Sequence, residues 1–138
     1  MNDSMLRGYK RSDGIYGIRN HLIAMSTVCC VNSMVAHISR FDDTAIPVTH
    51  QHGCDHVDID REQVLKTLTG ICNNPNVGGI LLVGLGCEST GIDDIVSGID
   101  TRGRIIRSIS IQEVGEKENI LNLAKKYLAE IKERLASQ

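Results

Sequence analysis

The residues with chemistry to offer sit at the ends of three apolar runs. Residues 22–28 lead into Cys29-Cys30, residues 45–49 into His50-Gln51-His52-Gly53-Cys54, and residues 79–84 into Leu85-Gly86-Cys87-Glu88. Thiolates take soft metals or iron–sulfur clusters. Imidazole titrates near neutral pH and works as general acid or base, and a carboxylate can ligate metal or accept a proton. His50 and His52 alternate about Gln51, so both can face one side. Glycines flanking this Cys-Glu pair allow a ligand to approach the backbone closely. Each feature also has a plain reading. A lone buried Cys is ordinarily a small apolar side chain, and that is the expectation for Cys72 on its helix face. Of Cys29 and Cys30, one should point into a helix layer and the other toward the strand end. His21 at a strand entry and His37 on a helix read as solvated, and His56 is a weaker loop candidate. No Cys-x-x-Cys spacing is present, which leaves a closed structural zinc site little support.

The elements that must position these groups alternate between strand and helix. Residues 8–17 carry Asp13-Gly14 between short segments and read as a hairpin or ordered loop. Strands are expected at 22–28, at 45–49, at 79–84, and around Ile105, Ile106, Ile109 and Ile111. Pro47 donates no ladder hydrogen bond, which puts the second of these at a sheet edge. The run at 79–84 is continuously apolar, the pattern of a strand covered on both faces. Helices are expected over 31–39, after a capping-box spacing of Asp60 with Gln63, over 92–99, and over 117–135, where Ile120, Ala124, Leu128 and Ile131 recur at helical spacing. Asn73-Asn74-Pro75-Asn76 should stop the second helix. The alternation predicts a three-layer α/β fold, Rossmann-like, with a mainly parallel four-stranded sheet flanked by helices, in one domain spanning residues 1–138. Ligands in such sheets bind at the carboxyl ends of the strands, where Cys30, Cys54 and Cys87 should meet.

Composition narrows the function. With 41% hydrophobic and 23% charged residues and a net charge of −2, the chain has no basic field for nucleic acid or an anionic membrane. One Phe, three Tyr and no Trp leave an aliphatic core and no platform for stacking bases. No apolar run is long enough to span a bilayer, and residues 1–6 lack the apolar core of a signal peptide. An odd count of five cysteines fits reduced thiols in a cytoplasmic protein.

The strand-end residues also carry a resemblance. Gly8-Tyr9-Lys10-Arg11-Ser12-Asp13-Gly14, Gly17-Ile18-Arg19-Asn20, Cys30-Val31-Asn32, Thr49-His50 with Gly53-Cys54, Asn74-Pro75-Asn76 and Val83-Gly84-Leu85-Gly86-Cys87-Glu88 resemble the start of the catalytic core of the altronate/galactarate (sugar-acid) dehydratase family, over about residues 8 to 115. The chain is also similar to the sulfolactate sulfo-lyase large subunit. The resemblance implies a lyase that removes water from a sugar acid, or sulfite from sulfolactate in some relatives, with Fe2+ as cofactor. Three separate thiolates would equally suit a [4Fe–4S] cluster with one open iron. Under the resemblance Cys30, Cys54 and Cys87 are the metal candidates. His50, His52, Glu88 and Arg19 are the catalytic candidates, and Arg19, Asn20, Asn32 and Gly86 the substrate-binding ones. Arg19 would clamp a substrate carboxylate. Position 52 often holds Tyr or another residue in relatives, so the choice of base between His50 and His52 stays open.

Family members continue into a second large domain and a small β-rich module. The resemblance therefore implies a subunit or segment that is completed by the remaining dehydratase domains or subunits in a homo- or hetero-oligomer, and is inactive alone. A non-catalytic metal- or partner-binding subunit of such an assembly is the rival. A dinucleotide-binding domain is weaker, since Gly84-Leu85-Gly86 lacks the third glycine of that fingerprint.

Overall fold

A computed structural model describes residues 7–12, 14–54 and 57–138. The candidate His56, the Asp13 of the expected turn and the first six residues lie outside the described residues. Strands β1 (Tyr9–Ser12) and β2 (Ile15–Gly17) form the antiparallel hairpin. Four parallel strands follow: β3 (His21–Ser26), β4 (Ala45–Val48), β5 (Val77–Gly84) and β6 (Ile105–Ser110). They lie in the order β4-β3-β5-β6. The connecting helices are α1 (Asn32–Ile38), α2 (Asp58–Cys72) and α3 (Ile92–Ser97), and α4 (Ile111–Val114) leads into the long α5 (Lys117–Ala136).

The two-residue period of the strands builds the layers. Leu22, Ala24, Leu81 and Val83 face one side, packing with Val35 and Ile38 of α1 and Ile120, Ala124, Leu128 and Ile131 of α5. Ile23, Met25, Ile80 and Leu82 face the other, with Val64, Leu68 and Cys72 of α2 and Ile95 of α3. This is the expected three-layer architecture, with β5 buried along all eight residues. Pro47 lies in β4 at the sheet edge, opposite Ala24, where a residue with no N–H to donate is tolerated.

Several local expectations shift. The helix α2 begins at Asp58, with Val57 as its N-cap and no side-chain cap, so Asp60 lies within the first turn rather than before it. Asp58 and Asp60 still favour that end by placing negative charge at the helix N-terminus. Ile111 does not extend β6 but opens α4. A turn of 3-10 helix, Cys29–Val31, separates β3 from α1. Among the described residues no helix is long and apolar enough to cross a membrane.

The amino edge of the sheet is closed by two buried arginines, Arg11 (2% exposed) and Arg104 (8% exposed). Arg11 Nε donates to Pro75 O (2.8 Å), Nη1 to Gly103 O (2.5 Å), and Nη2 to Arg19 O (3.3 Å) and Asn20 Oδ1 (2.7 Å). Arg104 donates to the carbonyls of Asp100 and Asn73. Carbonyl oxygens rather than carboxylates receive these donors, Arg104 Nε staying buried without a hydrogen bond, and burial, then their mutual repulsion in the case of Arg11, holds both guanidiniums below the ordinary arginine value. One side chain of the hairpin thereby ties together the entries to β3, β5 and β6. Replacing Arg11 by Met should strip three carbonyls of their donor and lower the unfolding free energy by about 2–4 kcal/mol, read from urea denaturation.

Candidate active site

The strand order creates the crevice. The chain leaves β3 for α1 on one face and leaves β5 for α3 on the other. The loops after these two adjacent strands therefore diverge, and the gap at their carboxyl ends is the place where doubly wound sheets bind ligands. Residues 27–31 and 85–91 flank it, and the loop after β4 adjoins it through Cys29 N–H, which donates to His52 O at 2.8 Å.

Glu88 is held there at both carboxylate oxygens. Thr27 Oγ1 donates to its Oε1 at 2.5 Å and Gly86 N–H to its Oε2 at 2.6 Å. Burial pushes this carboxyl up, but the Thr27 hydroxyl and the backbone amides of Glu88, Gly86 and Leu85 outweigh it and hold the group below its ordinary value. Donors of this kind favour the charged form. Glu88 is thus a fixed carboxylate and a weakened proton acceptor. The backbone permits the arrangement at two glycines. A Cβ at Gly84 would fall on Glu88 Oε1, and Gly86 has φ +114, beyond ordinary L-residue conformations.

The β4 side is pinned through Ser26 and Asn32. Ser26 Oγ donates to Asn32 Oδ1 (2.6 Å), and Asn32 Nδ2 donates to His50 O (2.7 Å). The His50 ring lies with Nε2 3.0 Å from Ser26 O and Nδ1 3.2 Å from the His52 N–H. A carbonyl can only accept and an amide can only donate, so these contacts select the Nε2–H tautomer of His50. The two imidazoles stand with ring centroids 5.6 Å apart; His50 is half-buried and His52 exposed.

The fold places Asn32, His50, His52, Gly86, Cys87 and Glu88 at the carboxyl end of the sheet, and it separates Arg19 and Asn20 from them. Those two precede β3, at the opposite end of a six-residue strand, roughly 20 Å away at ~3.3 Å per residue. Asn20 Oδ1 accepts from Arg11, and its Nδ2 donates to Leu135 O and Gln138 Oε1, while the Arg19 backbone N–H donates to Asn76 Oδ1. Within this chain neither can join Glu88 in clamping a substrate, because parallel strands keep their two ends apart. The matched segments around Arg11, Asn20 and Asn74-Pro75-Asn76 form the amino-edge latch instead. Asn32 and the Gly86 amide, expected to touch substrate, are engaged in positioning His50 and Glu88.

The three thiols proposed for metal do sit on the same edge, with Cys30 and Cys87 exposed and Cys54 half-buried against the α5 side of the core. Yet among the described residues no three His, Cys, Asp or Glu side chains are grouped to hold a metal ion. A complete metal centre is not preformed by these residues. Gly86, Glu88, Asp93, Asp94, Ser110 and Glu113 line an open hollow of about 380 Å³, and His52 borders a separate one with Asp60 and Gln63. Thr27 and Ser26 were missed by motif reading; their signal was two hydroxyls at the carboxyl end of an apolar strand.

Comparison with known proteins identifies the class. The chain belongs to the D-galactarate dehydratase/altronate hydrolase second-domain family, whose model matches residues 8–136. It is similar to altronate dehydratase from Bacillus subtilis (strain 168), 34% identical over 94 residues covering 60% of this chain and 19% of that enzyme. It is likewise similar to altronate dehydratase from Escherichia coli (strain K12), 31% identical over 100 residues, 65% of this chain and 20% of that enzyme. The (2R)-sulfolactate sulfo-lyase subunit beta of Chromohalobacter salexigens is 28% identical over 119 residues, 86% of this chain and 30% of that subunit. The chain thus spans less than a third of the length of these curated relatives. No solved structure matches it significantly.

Two measurements check the site. Burial pushes the Cys72 thiol up to about 12, so at pH 8 iodoacetamide should modify Cys30 and Cys87 in the folded chain and Cys72 only after unfolding, as read by peptide mass mapping. Because the Glu88 carboxyl is depressed below its ordinary value of 4.5, its contribution to stability is complete above that pH and is lost as the pH falls through its folded-state value. The gap in unfolding free energy between the native chain and Glu88→Gln should therefore be widest near neutrality and close progressively below pH 4.5.

Proposed function

We propose that this chain supplies one wall of the active site of a sugar-acid dehydratase of the altronate/galactarate type, and that the rest of the site comes from further domains or subunits of the assembly. The observation that supports it best is the Thr27–Glu88–Gly86 clasp, built from a strand-end residue and the Gly-Leu-Gly-Cys-Glu segment at the point where the sheet's connections diverge. Dehydration of a hydroxy acid removes the proton beside the carboxylate and expels hydroxide from the neighbouring carbon, leaving an enol that rearranges to a keto acid. Groups for proton transfer and for balancing charge must be fixed around those two carbons.

In this reading His52 moves the proton. Its ring is exposed at the strand ends, 5.6 Å from the His50 imidazole, which is half-buried and held against Ser26 O and the His52 amide. His50 orients the loop. Glu88 remains ionised and fixes the charge of the crevice, and the carboxylate clamp that Arg19 cannot provide comes from the completing domain. Ferrous iron or a [4Fe–4S] cluster would take part of its ligand set from outside the described residues, with Cys87 and Cys30 as the accessible thiols here. The enzyme works in the cytoplasm, where its thiols stay reduced.

The test is reconstitution. The 138-residue chain alone should show no formation of keto acid from altronate or galactarate, and the chain assembled with the remaining family domains under anaerobic conditions with Fe2+ should show it. In that assembly His52→Ala should lower kcat by about 100-fold or more and His50→Gln by less. Turnover of sulfolactate with no turnover of sugar acids would move the assignment to sulfite elimination, and turnover by the isolated chain would refute the shared site.

A further inference from the structure

We propose that Thr27 is the positioning residue that orients the Glu88 carboxylate for turnover, a role that rests on the dehydratase reading above. Thr27 is the first residue beyond β3, and the sheet ladder carries one bond past the strand to hold it, with Thr27 N–H donating to Val83 O at 3.0 Å. Its side chain is 3% exposed, so water does not compete for the hydroxyl. A hydroxyl has one proton to give. It lies 2.5 Å from Glu88 Oε1 and 3.4 Å from Val83 O, which assigns the proton to Glu88. That distance is in the range of a charge-assisted O–H···O bond. Gly86 N–H takes the other carboxylate oxygen at 2.6 Å.

Glu88 is therefore held at both oxygens from two adjacent strands, and its plane cannot turn. Gly84 is part of the same arrangement, because a Cβ there would fall on Glu88 Oε1 and 3.0 Å from Thr27 Oγ1. The remaining acceptor capacity of the carboxylate faces the hollow it lines with Gly86, Ser110 and Glu113. A hydroxyl at this position thus does what a packing methyl cannot.

The 138-residue chain gives the first readout and the assembled enzyme the second. In Thr27→Val, amide hydrogen exchange at Gly86 should accelerate by about tenfold or more relative to Leu81 inside β5, and Thr27→Ser should restore it. In the assembly, kcat should fall by about 10- to 100-fold in Thr27→Val with KM changed by less than about threefold, and Thr27→Ser should recover most of the loss. Normalising to Leu81 separates loss of the clasp from general destabilisation. Unchanged relative exchange at Gly86 in Thr27→Val would overturn the positioning role whatever the substrate. Faster exchange with unchanged kcat would overturn its part in turnover. A native assembly devoid of dehydratase activity would instead count against the function reading, while the exchange result would still decide whether Thr27 holds Glu88.

Discussion

Strand β5 is the constraint on which the rest of the structure depends. Its eight residues are buried on both faces and it pairs with β3 on one side and β6 on the other, so its backbone has no water to satisfy it and must be paired along its length. A central parallel strand of this kind admits helices on both faces and no alternative register, since a slip of one residue would exchange Ile80 and Leu82 with Leu81 and Val83 between two differently shaped cores. Everything at the carboxyl edge takes its position from that registration, including the 2.5 Å contact between residues 61 positions apart in sequence.

The two ends of the sheet are finished by opposite electrostatics. At the amino edge, buried Arg11 and Arg104 gather loop carbonyls, and the hairpin is held down by one guanidinium. At the carboxyl edge a carboxylate, Glu88, gathers a hydroxyl and backbone amides. Acidic side chains dominate the hollow around it. A sugar acid brings its own negative charge, and such a substrate needs cationic partners close by. Under the proposed function those cationic partners come from another module of the assembly; this chain spans under a third of the length of its curated relatives.

The positions that resemble the sugar-acid dehydratases divide by this geometry. Gly84, Gly86 and Glu88 cluster in the crevice, while Arg11, Asn20, Pro75 and Asn76 form the latch some six residues of strand away. Both sets are local motifs in sequence and neither announces which end of the sheet it serves. The latch gives the arginine and asparagines of those segments a structural role apart from the crevice: buried carbonyls at the entries of three strands require donors, and a planar guanidinium with five N–H groups reaches several at once.

By itself the sequence determined the layer architecture, the parallel sheet, the edge position of the Pro47 strand, the burial of Cys72 and the strand-end location of His50, His52, Cys87 and Glu88. Hydrophobic period and chain punctuation encode these locally. Local pattern also misplaced the start of α2, because Asp60 within a first turn and Asp60 before it read alike. Only the tertiary structure decided which residues share an end of the sheet and what each polar group does there. It sent Arg19 and Asn20 to the far edge, engaged the Asn32 and Gly86 donors in holding His50 and Glu88, and brought Thr27 to Glu88. The physical reason is that hydrogen bonds of a few ångströms are fixed by strand order and by where connections cross the sheet, and neither is written in the spacing of residues along the chain.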